Sequence, residues 1–147
     1  MKRQLLAFSL LFSVFFAFSS HAYQVSDVVL PHAVEGTKSR PKMHLNGASL
    51  RELYLLVETY VGALYLENPS SDPLVIMDDE SHKRMVFHVM LKKVSARRIA
   101  TALQEALLLN LTADEHNNLK DELEQMLGYF TGKMYKGEEA HFDYIPG

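Results

Sequence analysis

The 147-residue chain has no cysteine and no tryptophan. Without thiols, disulfides, cysteine nucleophiles and thiolate metal sites are all excluded. Seven glycines and five prolines are too few for a low-complexity linker protein. None of the glycines forms a phosphate-cradling loop. Positive charge is not in excess either. Lys and Arg number 15 against 18 Asp and Glu, giving a formal charge of −3 and a pI near 6.1. Such a field does not draw nucleic acid, so no nucleic-acid partner is expected. Beyond the N-terminus, no apolar run is long enough to span a bilayer. What is present is 48% hydrophobic and 22% charged content, the make-up of a globular domain.

The N-terminus has its own pattern. Lys2 and Arg3 are basic, and Leu5 to Phe18 is apolar apart from Ser9 and Ser13. Ser20-His21-Ala22 places small residues at the −3 and −1 positions before Tyr23. This is the layout of a cleaved secretory signal peptide. An uncleaved anchor is the alternative, but the run is shorter than the ~20 residues of a spanning helix. The expected organisation is a signal peptide over 1–22 and one domain over 23–147, exported to the periplasm. No cysteine follows the signal, so a lipoprotein anchor is excluded and no stable membrane anchor remains after cleavage. An exported protein meets little ATP or NAD, and no cofactor is expected.

Along the domain, Val25 to Leu30 reads as a short strand stopped by Pro31, and residues 34–42 as a basic turn. Met43-His44-Leu45 is extended, and Asn46-Gly47 is a turn signal. Residues 50–67 are apolar at both odd and even positions, as in a strand covered on both sides. Gly62 in mid-run weakens a helix, although a helix stays open for Leu50 to Glu58. Asp72 or Ser71 can cap a short helix over Pro73 to Met77. Residues 84–92 alternate, with Met85, Phe87, Val89 and Leu91 on a dry face and Arg84, Val86, His88, Met90 and Lys92 on a mixed one. Ser95 can cap a helix whose apolar stripe is Ile99, Ala102, Leu103, Ala106 and Leu107. Thr112 and Glu115 form a capping box for a second helical stretch, with Gly128 and Gly132 as stops. Ala140 to Ile145 is again a strand. Strands followed by grouped helices give an α+β chain, an antiparallel sheet with helices on one face.

Two stretches carry a family resemblance. Asn46-Gly47-Ala48-Ser49-Leu50-Arg51 followed by Tyr60-Val61-Gly62-Ala63-Leu64-Tyr65-Leu66 resembles the chalcone isomerase-like family. Val94-Ser95-Ala96 and Tyr144-Ile145-Pro146-Gly147 agree with it in order. The resemblance covers about residues 28–147 and implies an antiparallel sheet with helices on one face and a cleft between them. Relatives carry a further hairpin and helix after the Tyr-x-Pro-Gly turn, so this sequence is expected to be C-terminally incomplete. The family's true isomerases, which are intramolecular lyases, use an Arg, a strand Thr, a helix-start Tyr, an Asn and a further Thr. These fall on Arg51, Tyr60, near Ser95, near Ala102 and beyond Gly147, so only the Arg is kept. The resemblance therefore favours the non-catalytic branch, in which a strand Arg and Tyr hold a fatty-acid carboxylate. Arg51 and Tyr60 match that pair.

The chemistry of the pair is sensible in itself. A guanidinium gives a carboxylate a two-pronged fork, a phenol adds one donor, and an apolar cleft holds the tail. Three readings follow. The leading one is an exported non-catalytic domain that binds a small amphipathic carboxylate such as a fatty acid. The second is an isomerase of the chalcone isomerase type using Arg51 and Tyr60. The third is a structural domain without a ligand, with Arg51 paired to Glu52 or Glu58 and Tyr60 as a core aromatic. Metal binding is not expected, since the histidines show no ligand spacing and cysteine is absent. Asp78-Asp79-Glu80 reads as a solvated turn. Lys83-Arg84, Lys92-Lys93 and Arg97-Arg98 read as solvation of strand edges and a helix start. The oligomeric state is left open.

Overall fold

A computed structural model describes residues 22–35, 41–54 and 57–147. The expected signal peptide, apart from Ala22, lies outside the described residues, as does most of the basic turn. The first described elements are β1 (Tyr23–Val25) and β2 (Val28–Leu30), joined by Ser26-Asp27. What reads in sequence as one strand is therefore a hairpin. Ser26 has φ 53°, the positive φ that a II′ turn requires at its first loop residue.

The main sheet is antiparallel, with strand order β3-β4-β5-β6-β9. Its strands are β3 (Ala33–Val34), β4 (Met43–Leu53), β5 (Val57–Leu66), β6 (Lys83–Val89) and β9 (Glu139–Tyr144). Helix α1 (Pro73–Asp78) lies between β5 and β6, capped by Asp72, whose Oδ1 accepts from the Leu74 N–H at 2.9 Å. A separate ribbon pairs β7 (Lys93–Ser95) with β8 (Lys133–Tyr135). Between these two strands run α2 (Ala96–Leu108), α3 (Ala113–Asn118) and α4 (Lys120–Gly128). The α+β class expected from the sequence is what folds.

Asn46-Gly47 is not a turn. β4 runs through it with a register shift between Leu45 and Gly47, and Asn46 Oδ1 accepts from the Ser70 N–H at 2.9 Å. The extra residue of a bulge is absorbed there without reversing the strand. The expected strand over 50–67 is divided: β4 ends at Leu53, Tyr54 takes φ 54°, and β5 begins at Val57. The helix left open for Leu50 to Glu58 does not form among its described residues, because Leu50 to Leu53 continue β4.

One face of the sheet carries the core. Val61, Ala63, Tyr65 and Val86 pack with Met43 and Met90 and with Val28 and Leu30 of the hairpin. Val61 and Tyr65 are essentially inaccessible, and burial of side chains of this size contributes about 1.5–3 kcal/mol each. Tyr65 donates its hydroxyl to the Pro31 carbonyl at 3.1 Å, so its one polar atom is satisfied. Burial pushes the Tyr65 phenol up in pKa.

The β6 alternation needs a correction. Its mixed set is buried at Arg84, Val86 and Met90 (8%, 5% and 5% exposed), while the dry set divides, with Val89 at 2% and Met85 at 43%. Arg84 can be buried because Asp143 on β9 stands directly opposite it. It accepts from Arg84 Nε at 2.6 Å and from Nη2 at 2.7 Å, so the guanidinium enters the core already paired.

Candidate functional site

Arg51 and Tyr60 are Cα partners across β4 and β5. Residues directly opposite in an antiparallel ladder present their side chains on the same face. Here it is the face away from the hairpin. A register shift follows at Arg51/Glu52, so that Glu52 opposes Glu58 and Thr59 is the extra residue. Thr59 Oγ1 donates to the Arg51 carbonyl at 2.7 Å. This bond pins the backbone of the bulge and fixes where the Arg51 side chain leaves the strand.

The electrostatics of Arg51 are simple. Its side chain is exposed and has no hydrogen bond or ion pair with a described residue. The pairing with Glu52 or Glu58 that the sequence leaves open is absent. Glu58 Oε1 instead accepts from Ser26 Oγ at 2.8 Å, which fastens the hairpin to the sheet.

Tyr60 is half-buried and starts a series of ring contacts. It meets Phe87 edge-on at 5.2 Å between centroids, and Phe87 meets Phe142 edge-on at 5.6 Å. Phe142 stacks on Phe130, in the segment after α4, at 5.8 Å. The third reading's aromatic role for Tyr60 is thus real, and it coexists with a place opposite Arg51. Sequence reasoning missed Phe87, Phe142 and Phe130 as site residues. The alternation of β6 and β9 was the available signal, but the register that joins them is not visible in one sequence.

The positions that the isomerase pattern assigns elsewhere carry other duties. Ser95 Oγ accepts from the Arg98 N–H at 3.2 Å as the α2 N-cap. Ala102 is an exposed alanine on the same helix. The opposite face of the sheet holds a polar group of its own. Glu139 lies between His88 (Nδ1 to Oε1, 3.2 Å) and His141 (Nε2 to Oε2, 3.0 Å). Burial raises the Glu139 carboxyl, but the hydrogen bonds to His141 and His88 outweigh it and hold it below the ordinary carboxylate value. A depression of about 420 Å³ lined by Asn46, Pro69, Ser70, Ser71, Pro73 and Ile76 sits at the other end of β4 from Arg51. No helix among the described residues is long and apolar enough to cross a membrane.

The sheet and its helical excursion agree with what comparison finds. The family profile described as chalcone isomerase-like matches residues 22–147, and the chain belongs to that family. Among solved structures, it is similar to the crystal structure of a fatty-acid binding protein of Arabidopsis thaliana, with a TM-score of 0.59 and 15% identity. The match covers 86% of this chain and 73% of the plant chain, and at that identity it speaks for the fold. No curated protein sequence matches significantly.

Proposed function

We propose that the protein is an exported, non-catalytic binding domain that holds a small amphipathic carboxylate, a fatty acid being the model ligand. Arg51 and Tyr60 hold the carboxylate. One observation carries the reading: an exposed guanidinium, unpaired among the described residues, stands opposite Tyr60 at the head of an apolar, aromatic sheet face. A guanidinium there can fork onto both carboxylate oxygens, and the phenol can add a third hydrogen bond. The apolar face beside them suits a tail. The plant neighbour is a fatty-acid binding protein, which is consistent with this reading at the level of the family.

The test is calorimetric titration with dodecanoate. Arg51→Ala is expected to lose about 1.5–3 kcal/mol of binding free energy, the range for a charged hydrogen bond, with the circular dichroism spectrum unchanged. Arg51→Lys keeps the charge but loses the fork, and its affinity should fall between the two. Equal binding by all three proteins would sink the assignment. Export is tested by mass spectrometry of the secreted fraction, where the polypeptide is expected to begin at Tyr23 and to carry a fatty-acid-sized passenger under native conditions.

A further inference from the structure

Of the three basic pairs in the sequence, one is engaged within the fold and two are not. Arg84 forks onto Asp143, and Lys83 Nζ lies 4.7 Å from the centre of the Tyr144 ring. Lys92-Lys93 and Arg97-Arg98 sit at β7 and at the start of α2, and the fold brings Lys133 to them. In the ribbon Lys93 is opposite Tyr135, Val94 opposite Met134 and Ser95 opposite Lys133. The Ala96 N–H donates to the Gly132 carbonyl at 3.2 Å, which ties the first residue of α2 to the residue before Lys133. Opposed residues share a face. The ribbon therefore has a dry side, Val94 and Met134, and a wet side, Lys93, Ser95, Lys133 and Tyr135. Lys92, Lys93, Arg97, Arg98 and Lys133 are all exposed, and their side chains make no hydrogen bond or ion pair with a described residue. Residues 92–98 and 129–137 contain no Asp or Glu, in a chain that is net negative. The next acid, Glu138, accepts from the Tyr135 N–H at 2.9 Å, and Lys136 is taken by Asp27.

Solvation does not account for this arrangement. Lysines on a short ribbon keep its edges from pairing, which explains Lys93 and Lys133. It does not explain Arg97 and Arg98, the second and third residues of α2, where the positive end of the helix dipole disfavours a cation. Charge set against the helix that carries it serves something outside the fold. We propose that this face docks the protein reversibly on an anionic lipid bilayer. The five cations meet the phosphate headgroups, and Tyr135 lies at headgroup level. The tyrosines favour a bilayer over an acidic protein or a nucleic acid. Tyr135 is 48% exposed among the lysines, and Tyr129, four residues before Lys133, is 74% exposed. Amphipathic rings beside long cationic side chains suit a membrane–water interface. Attachment of this kind needs no spanning helix and acts within a Debye length of the surface. The ribbon is separate from the sheet that carries Arg51, so the docking face goes beyond the carboxylate reading and does not rest on it.

The experiment is sedimentation of the purified protein with two kinds of vesicle, phosphatidylcholine alone and phosphatidylcholine with about one-third phosphatidylglycerol. The apolar stretch from Leu5 to Phe18 contributes equally to both, so the difference between them reads the basic face. Each cation near an anionic surface is worth about fivefold in partitioning. The protein should prefer the anionic vesicles by about a hundredfold or more and lose the preference at about 1 M salt, where the screening length is about 3 Å. Arg97→Gln with Arg98→Gln should weaken anionic binding about twenty-fold, and the double variant should melt no lower than the parent, since it relieves the helix start. Lys93→Gln with Lys133→Gln should weaken it as much from the ribbon, with the circular dichroism spectrum unchanged. Arg97→Lys with Arg98→Lys keeps the charge and should bind as the parent does. Tyr135→Ala should weaken vesicle binding and leave binding to polyglutamate unaltered. Equal partition onto the two kinds of vesicle, or anionic binding that the neutralised variants do not change, overturns the proposal. Tighter binding to polyglutamate or to RNA than to the anionic vesicles also overturns it and gives the face to that partner.

Discussion

Arg84 shows how a distant partner lets a charged residue be buried. Alternation alone gives a dry face with Met85 and Phe87 and a mixed face with Arg84, and that is how the sequence reads. Asp143, 59 residues away in the chain, makes Arg84 tolerable inside by meeting the guanidinium with two short hydrogen bonds. A partner so distant in sequence leaves no local trace, whereas the Arg51–Tyr60 candidates were legible because each sits in a recognisable strand motif. Asp143→Ala should cost about 3 kcal/mol in urea denaturation, since it leaves Arg84 buried and unpaired. Replacing both residues, Arg84→Met with Asp143→Leu, should recover most of the loss. Glu139 makes a pH prediction. Its folded-state pKa is depressed, so its contribution to stability is full above its unfolded value of about 4.3 and is lost as pH falls through the folded value. Removing its partners with His88→Gln and His141→Gln should flatten the stability curve below about pH 4.3 and leave its slope near pH 7 less affected.

At the level of elements, what was legible was what local chemistry controls. Asp72, Ser95 and Thr112 cap the helices they were expected to cap. The Thr112–Glu115 box closes in both directions, with Thr112 N–H donating to Glu115 Oε2 at 2.8 Å and Glu115 N–H donating to Thr112 Oγ1 at 3.3 Å. Thr112→Ala should destabilise α3 by about 1 kcal/mol, read as faster amide exchange over residues 113–118 while the sheet amides hold. What was not legible was register. The shifts at Leu45/Gly47 and Arg51/Glu52 are settled by groups across the sheet, such as Asn46 meeting Ser70 and Thr59 meeting the Arg51 carbonyl. The ring contacts from Tyr60 through Phe87 and Phe142 to Phe130 depend on register too, so the rings could be seen in sequence but not their order.

For the whole molecule, the two faces of the sheet are unequal. The hairpin covers one, fastened by Ser26 to Glu58 and by Asp27 to Lys136 at 2.8 Å. On the other face Met85 and Tyr144 are each 43% exposed. A face of this kind should bind the fluorescent probe anilinonaphthalenesulfonate when no ligand is present, and titration with dodecanoate should displace the probe and quench its emission. Probe fluorescence indifferent to dodecanoate would place the exposed surface elsewhere, for instance on α1, where Leu74, Val75 and Met77 also face solvent. The fold class was legible from the order of strands and helices. The inequality of the faces was not, since it depends on where a short hairpin folds back.

The fork between Arg84 and Asp143 also bears on the order of assembly. β4, β5 and β6 are neighbours in the chain and can zip together by short connections, but β9 joins β6 only after the chain has passed through β7, three helices and β8. Closing so long an excursion adds little to the equilibrium cost, which grows only with the logarithm of loop length, yet non-local strand pairing of this kind is slow. Until β9 arrives, Arg84 has no carboxylate to enter the core with. The pairing that makes the guanidinium tolerable inside is thus one that non-local docking of the last described strand has to supply.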